Sequence, residues 1–225
     1  MENALTIKKP SAVPGEKPRL RGVSHQIAAL ITLVAGSGLV LMAPGARATW
    51  GASAYVFSLL SLFAISAFYH RPTWQPRQRR ILRRFDHSAI FLLIAGSYTP
   101  IILLVFPVDR GGYLLSLVWG GALLGIGQSI FWPGAPKALV ALLCIALGWV
   151  VVLDWDMFRD GLTVLQLLLI ALGGVLYTGG AMIYAMRRPD PWPDIFGYHE
   201  VFHALTIAAT ACHAYAITEI IMSAG

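Results

Sequence analysis

Seven apolar stretches leave few folds open to this chain. They lie near 24–43, 50–70, 87–107, 112–132, 136–153, 162–185 and 200–222. Each approaches the ~20 residues that an α-helix needs to cross a bilayer. In lipid every backbone polar group must be satisfied within its own segment, so runs of this kind become helices. Only 12% of the 225 residues are charged, against about 25% in an ordinary soluble domain. The connections are short, and no repeat of about 20–50 residues divides the chain. The expected fold is an all-α integral membrane protein, a seven-transmembrane helix bundle. Its expected organisation is a tail over 1–22 and one seven-helix domain over 23–225.

Charge sets the expected orientation. With the N-terminus inside, 14 of the 17 Lys and Arg residues fall in the tail, the 71–86 loop, the turn at Lys137 and the 186–199 loop. Only Arg47, Arg110 and Arg159 fall on the other side. Cytoplasmic loops carry the excess of Lys and Arg, so the N-terminus is expected in the cytoplasm and the C-terminus outside the cell membrane. The tail has five basic residues and three prolines but no apolar core, which argues against a cleaved signal peptide. The net charge of +6 carries no aromatic-interleaved basic patch, so no nucleic-acid partner is expected. The six arginines of the 71–84 stretch act as a topology signal and suit contact with anionic lipid headgroups. Cys144 and Cys212 lie inside apolar runs and offer neither a disulfide framework nor a cysteine zinc site. No feature specifies an oligomeric state; the expected partner is membrane lipid.

His199-Glu200-Val201-Phe202-His203 carries the chemistry. Two histidines four residues apart stand on one helix face, which is metal-ligand spacing. Ser66 and His70 repeat that spacing, and Asp86-His87 opens the third apolar run. The topology sends Ser66, His70, Asp86, His199 and His203 to the same end of the bundle. Three imidazoles with a position left for water form an open zinc site, for which His70, His199 and His203 are the expected ligands. Zinc would bring the pKa of a bound water toward ~7. Asp86 is placed to orient that water or take its proton. Ser66, one turn from His70, is placed to hydrogen-bond a developing oxyanion. Glu200 points about 100° away from His199 and is expected as a ligand's neighbour or an interfacial charge. His25 is expected at the interface, His87 in packing or beside the site, and His213 as a helix contact too deep to join it. Gly121, Gly125, Gly173, Gly174, Gly179 and Gly180 are expected to let helices approach closely, and Pro100 to kink the third helix.

At these residues the chain resembles the hemolysin III family, within the progestin and adipoQ receptors that include the adiponectin receptors. The motifs are Ser66-x-x-x-His70, the run from Asp86-His87-Ser88 to Ser97-Tyr98-Thr99-Pro100, the glycine-rich Gly173–Gly180, and His199-x-x-x-His203. The resemblance implies seven helices with a cytoplasmic N-terminus in a bacterial inner membrane. It implies Zn2+ on His70, His199 and His203, with Asp86 and Ser66 matching the family's aspartate and serine. Eukaryotic relatives imply hydrolysis of lipid amides such as ceramide; the bacterial label implies haemolysis or membrane-lipid homeostasis. The leading expectation is a zinc-dependent hydrolase of a lipid amide or ester. The alternatives are a cytolytic pore, an intramembrane zinc protease using Glu200, and a zinc-stabilised receptor or regulator without chemistry.

Overall fold

The computed structural model describes residues 17–224. The first sixteen residues of the expected 1–22 tail lie outside the described residues. Seven helices are long and apolar enough to span a membrane: α1 Val23–Met42, α2 Gly45–His70, α3 Pro76–Val105, α4 Val108–Phe131, α5 Lys137–Gly161, α6 Val164–Met186 and α7 Tyr198–Met222. The protein is a multi-pass membrane protein, and no strand occurs among the described residues. Neighbours in sequence pack as neighbours in space, most extensively α2 on α3 and α6 on α7. Helix α3 is the most enclosed of the seven and also meets α5 and α7. Phe63, Phe91, Ile102, Leu114, Val118 and Ile217 fill the core around it. Val34, Phe57, Leu124, Leu168 and Val175 face outward, as an apolar solvent permits.

The third helix starts eleven residues earlier than the apolar pattern suggests. The stretch expected as a loop over 71–86 is helical from Pro76, and only residues 71–75 connect α2 to α3. Pro76 occupies the first turn, where its missing N–H costs nothing. Gln78 returns its side-chain oxygen to the Gln75 N–H at 3.2 Å and closes the helix start. Arginine is a good helix former, so the charge that ends the hydropathy signal does not end the helix. Helix α3 continues through Pro100. Gly51 fits against Pro100: a Cβ there would lie 3.0 Å from its Cα.

The fifth helix also exceeds its expected end at 153. It tightens over Val150–Asp154 and resumes as α-helix to Gly161. The break at Trp149 frees backbone groups that α3 then satisfies. The Tyr98 hydroxyl donates to the Gly148 carbonyl at 2.7 Å and accepts from the Val151 N–H at 3.0 Å. Among the glycines, a Cβ at Gly96 would fall 2.0 Å from the Ser58 Oγ, so the α2–α3 crossing needs a bare backbone there. Gly121, Gly125, Gly173, Gly174 and Gly180 each touch a neighbouring helix as expected, against Leu147, Phe91, His213, Trp149 and Phe202. Gly179 does not: a Cβ there would meet nothing.

Candidate metal centre

The topology brings α2, α3 and α7 together at the end where the described N-terminal segment also lies. His70 closes α2, and His199 and His203 lie in the first two turns of α7. One ring nitrogen from each falls within 4.8 Å of the others. The Nε2 atoms of His70 and His199 are 3.1 Å apart. Two imidazoles on one tetrahedral ion at 2.0–2.1 Å would place their nitrogens about 3.3 Å apart. The His70 side chain is 10% exposed, and His199 and His203 are buried. Three imidazoles at these spacings can hold a metal ion.

The expected carboxylate and hydroxyl are present beside them. Asp86 Oδ2 lies 3.8 Å from His70 Nε2. Ser66 is buried and faces the Asp86 carboxyl closely enough to interact with it. Asp86 reaches the site from ten residues inside α3 rather than from its first turn, because the helix begins at Pro76. His213 lies away from the cluster and meets the Ile170 carbonyl at 3.1 Å, the helix contact expected of it. His87 lines the cavity described below.

Two residues differ from expectation. His25 is not interfacial. It is 2% exposed, stacks on His203 with ring centroids 3.7 Å apart and planes 9° from parallel, and meets the Phe63 ring edge-on at 5.0 Å. Metal-binding histidines usually donate their second ring N–H to a carbonyl or carboxylate, which fixes the ring. His203 Nδ1 has no such partner among the described residues, and the His25 stack fixes its plane instead. Glu200 is buried and tied up away from the imidazoles. It pairs with Arg21 and accepts the Gly197 N–H at 2.9 Å, one of the free donors at the start of α7.

The segment before α1 folds across the mouth of the site. Arg19 and Leu20 donate their N–H groups to the Asp194 and Ile195 carbonyls. Gly22 has φ 76° and lies where a Cβ would come 2.9 Å from the His70 Cβ, so only glycine turns the chain this close beneath α2. Lys17 donates to the Pro72 carbonyl at 2.6 Å. Burial, with Arg79 and Arg21 close by, lowers the Lys17 pKa below its usual value. A second cation, Lys137, lies over the Tyr184 ring at 4.1 Å, and Tyr184 meets the His199 ring at 5.8 Å.

The cluster opens into a cavity of ≈ 710 Å³. Its near end is ringed by Arg79, Arg83, Lys137 and Arg187. It passes Ser66, Asp86 and the three histidines and continues between the helices to Tyr98, Trp149, Thr178 and His213. At that depth the Trp149 indole N–H donates to Thr178 Oγ1 at 3.0 Å.

A family model described as "Haemolysin-III related" matches residues 15–214. The chain belongs to that family. A hemolysin-3 homolog of Bacillus subtilis (strain 168) is 29% identical over 192 residues, covering 84% of this chain and 87% of that protein. Hemolysin-3 of Bacillus cereus is 28% identical over 192 residues, covering 84% of each. An adiponectin receptor protein of Drosophila melanogaster is 29% identical over 189 residues, 75% of this chain and 41% of that one. The expected kinship with hemolysin III and adiponectin receptor-like proteins is borne out.

Proposed function

We propose that this protein is a zinc-dependent hydrolase of a lipid amide or ester, with its site at the cytoplasmic boundary of the cell membrane and a role in membrane-lipid homeostasis. The observation that carries it is the meeting of three imidazoles, a carboxylate and a hydroxyl at one end of a cavity large enough for an acyl chain. His70, His199 and His203 would hold the ion. Three neutral imidazoles suit zinc among the divalent metals. When bound, zinc supplies Lewis acidity for water activation and carbonyl polarisation.

The other residues have separable tasks. Asp86 accepts the proton of the attacking water, for which its place 3.8 Å from the His70 imidazole is suitable. Ser66 donates a hydrogen bond to the carbonyl oxygen as negative charge grows on it. The apolar depth of the cavity holds the acyl chain and excludes bulk water. Glu200 has no part in proton transfer, since both its oxygens are already engaged. This counts against the intramembrane protease reading of the His199–His203 motif. Purified protein loaded with zinc should release fatty acid from a panel of membrane amides and esters. Asp86→Asn should reduce turnover about 100-fold or more with little change in stability. Undiminished turnover by His203→Ala would overturn the proposal.

The names of the Bacillus relatives motivate a second reading, cytolysis. Lysis of red cells by purified protein, with protection that depends on solute size, would favour it over hydrolysis. Bound zinc without turnover of any lipid would favour a non-catalytic receptor or regulator.

A further inference from the structure

Besides Arg21, which is paired with Glu200, six cations line the mouth of the cavity: Lys17, Arg79, Arg80, Arg83, Lys137 and Arg187. They come from four separate segments: the chain before α1, the start of α3, the start of α5 and the end of α6. Among the described residues none of these six forms an ion pair, and the only carboxylate lining the cavity is Asp86, beside His70. Orientation in the membrane alone would not require this convergence. Arg71, Arg77, Arg84 and Arg188 lie at the same end and do not line the cavity. Like charges gathered on a low-dielectric wall focus a positive field into the opening.

The rim stands at a defined distance from the imidazoles. Arg83 precedes Asp86 by three residues, about 4.5 Å along the helix axis. Arg187 follows Tyr184 by the same interval, and Tyr184 packs on His199. Lys137 is held between the rings of Tyr184 and Tyr198, both of which touch the His199 ring edge-on. The cations therefore lie about one helical turn outside the three histidines. In an acylated glycerol phosphate a few bonds separate the phosphate from the nearest acyl carbonyl, a similar span.

We propose that this rim binds the phosphate of an anionic phospholipid headgroup, so that the cavity's ligand, and the substrate of the hydrolase proposed above, is an anionic acyl phospholipid. The phosphate rests on Arg83, Lys137 and Arg187. The acyl carbonyl then reaches Ser66 and the three histidines, and the acyl chain runs toward Trp149 and Thr178. A neutral lipid leaves the rim unmatched, and a cationic headgroup is repelled by it. The substrate assignment rests on the hydrolase reading; occupancy of the rim does not.

Binding is measured first, on the zinc-loaded full chain in neutral-detergent micelles, by the fluorescence of tryptophan, which Trp149 contributes from within the cavity. The probes are dioleoylphosphatidylglycerol and dioleoylphosphatidylcholine. The wild type should bind the anionic lipid at least about tenfold more tightly, and the preference should shrink as salt rises. Replacing Arg83, Lys137 and Arg187 together by Gln should cost about 100-fold for the anionic lipid alone. Replacing Arg71, Arg77 and Arg84, which carry as much charge outside the cavity, should change it less than about threefold. Equal losses in the two triple variants, or no preference in the wild type, would overturn the proposal. Inorganic phosphate at millimolar concentration should not displace the lipid; if it does, the rim is a site for free phosphate and the lipid assignment fails. Selective binding without hydrolysis of any lipid would uphold the rim and sink only the hydrolase reading. Faster hydrolysis of a neutral amide than of the anionic lipid would uphold the hydrolase and overturn the substrate class.

Discussion

Replacing Glu200 separates a structural clasp from a catalytic base. Its side chain is 4% exposed, and the Arg21 partner is 20% exposed. Glu200→Ala removes the charge-assisted bond to Arg21, of about 1.5–3 kcal/mol. It also removes the acceptor for the Gly197 N–H, which behaves as a helix-start cap of about 1 kcal/mol. Arg21 keeps some access to solvent, which moderates the cost of leaving it alone. The expected loss is about 2.5–4 kcal/mol for Glu200→Ala. Glu200→Gln keeps an oxygen for Gly197 but cannot neutralise Arg21, so it should lose about 1–2 kcal/mol. Thermal unfolding in detergent reads the order, and a double-mutant cycle with Arg21→Gln should give a coupling of about 1–2 kcal/mol. Because the pair is largely buried, the coupling should change little with salt. Turnover per folded molecule should stay within about threefold of wild type in Glu200→Gln. A loss of about 100-fold in turnover at unchanged stability would refute this reasoning and make Glu200 the proton acceptor.

Two further substitutions test the packing that positions the site. Gly96→Ala puts a Cβ where Ser58 Oγ and Cβ stand at 2.0 and 2.5 Å, so α2 and α3 must part. It should lower stability by about 2–3 kcal/mol in thermal unfolding, and pairing it with Ser58→Ala should recover little, because the Cβ clash persists. His25→Phe should stay within about 1 kcal/mol of wild type, since neither ring nitrogen of His25 has a hydrogen-bond partner among the described residues. His25→Ala removes the stacked ring and should cost about 2–3 kcal/mol, read by the same thermal midpoint, and should loosen His203 enough to weaken metal binding.

What the sequence made legible followed local periodicity. Seven apolar runs and the i, i+4 spacings of His199–His203 and Ser66–His70 were readable because hydropathy and helix pitch act over a few residues. Their meeting was readable because the alternation of spans sends His70, Asp86 and His199 to one end. The start of α3 was hidden: its first ten residues are rich in arginine, and the signal for a span is apolarity, not helicity. The turn chemistry of Gln75, Pro76 and Gln78 was the available clue. His25 was misjudged because nothing beside it in sequence marks it; the stack on His203 joins residues from the first and last helices. The Arg21–Glu200 pair spans 179 positions and leaves no local trace. The tightened segment after Trp149 carries no proline or glycine of its own, and its support comes from Tyr98 on another helix.

The central claim is that three imidazoles from α2 and α7 hold one ion. Elemental analysis of the purified, folded chain tests it most directly, together with single His70→Ala, His199→Ala and His203→Ala variants and a His213→Ala control. The account predicts a single zinc ion per chain in the wild type and the control, and its loss from each of the other three. A wild-type protein that is fully folded and metal-free after incubation with zinc, or variants that keep the ion without these imidazoles, would contradict it.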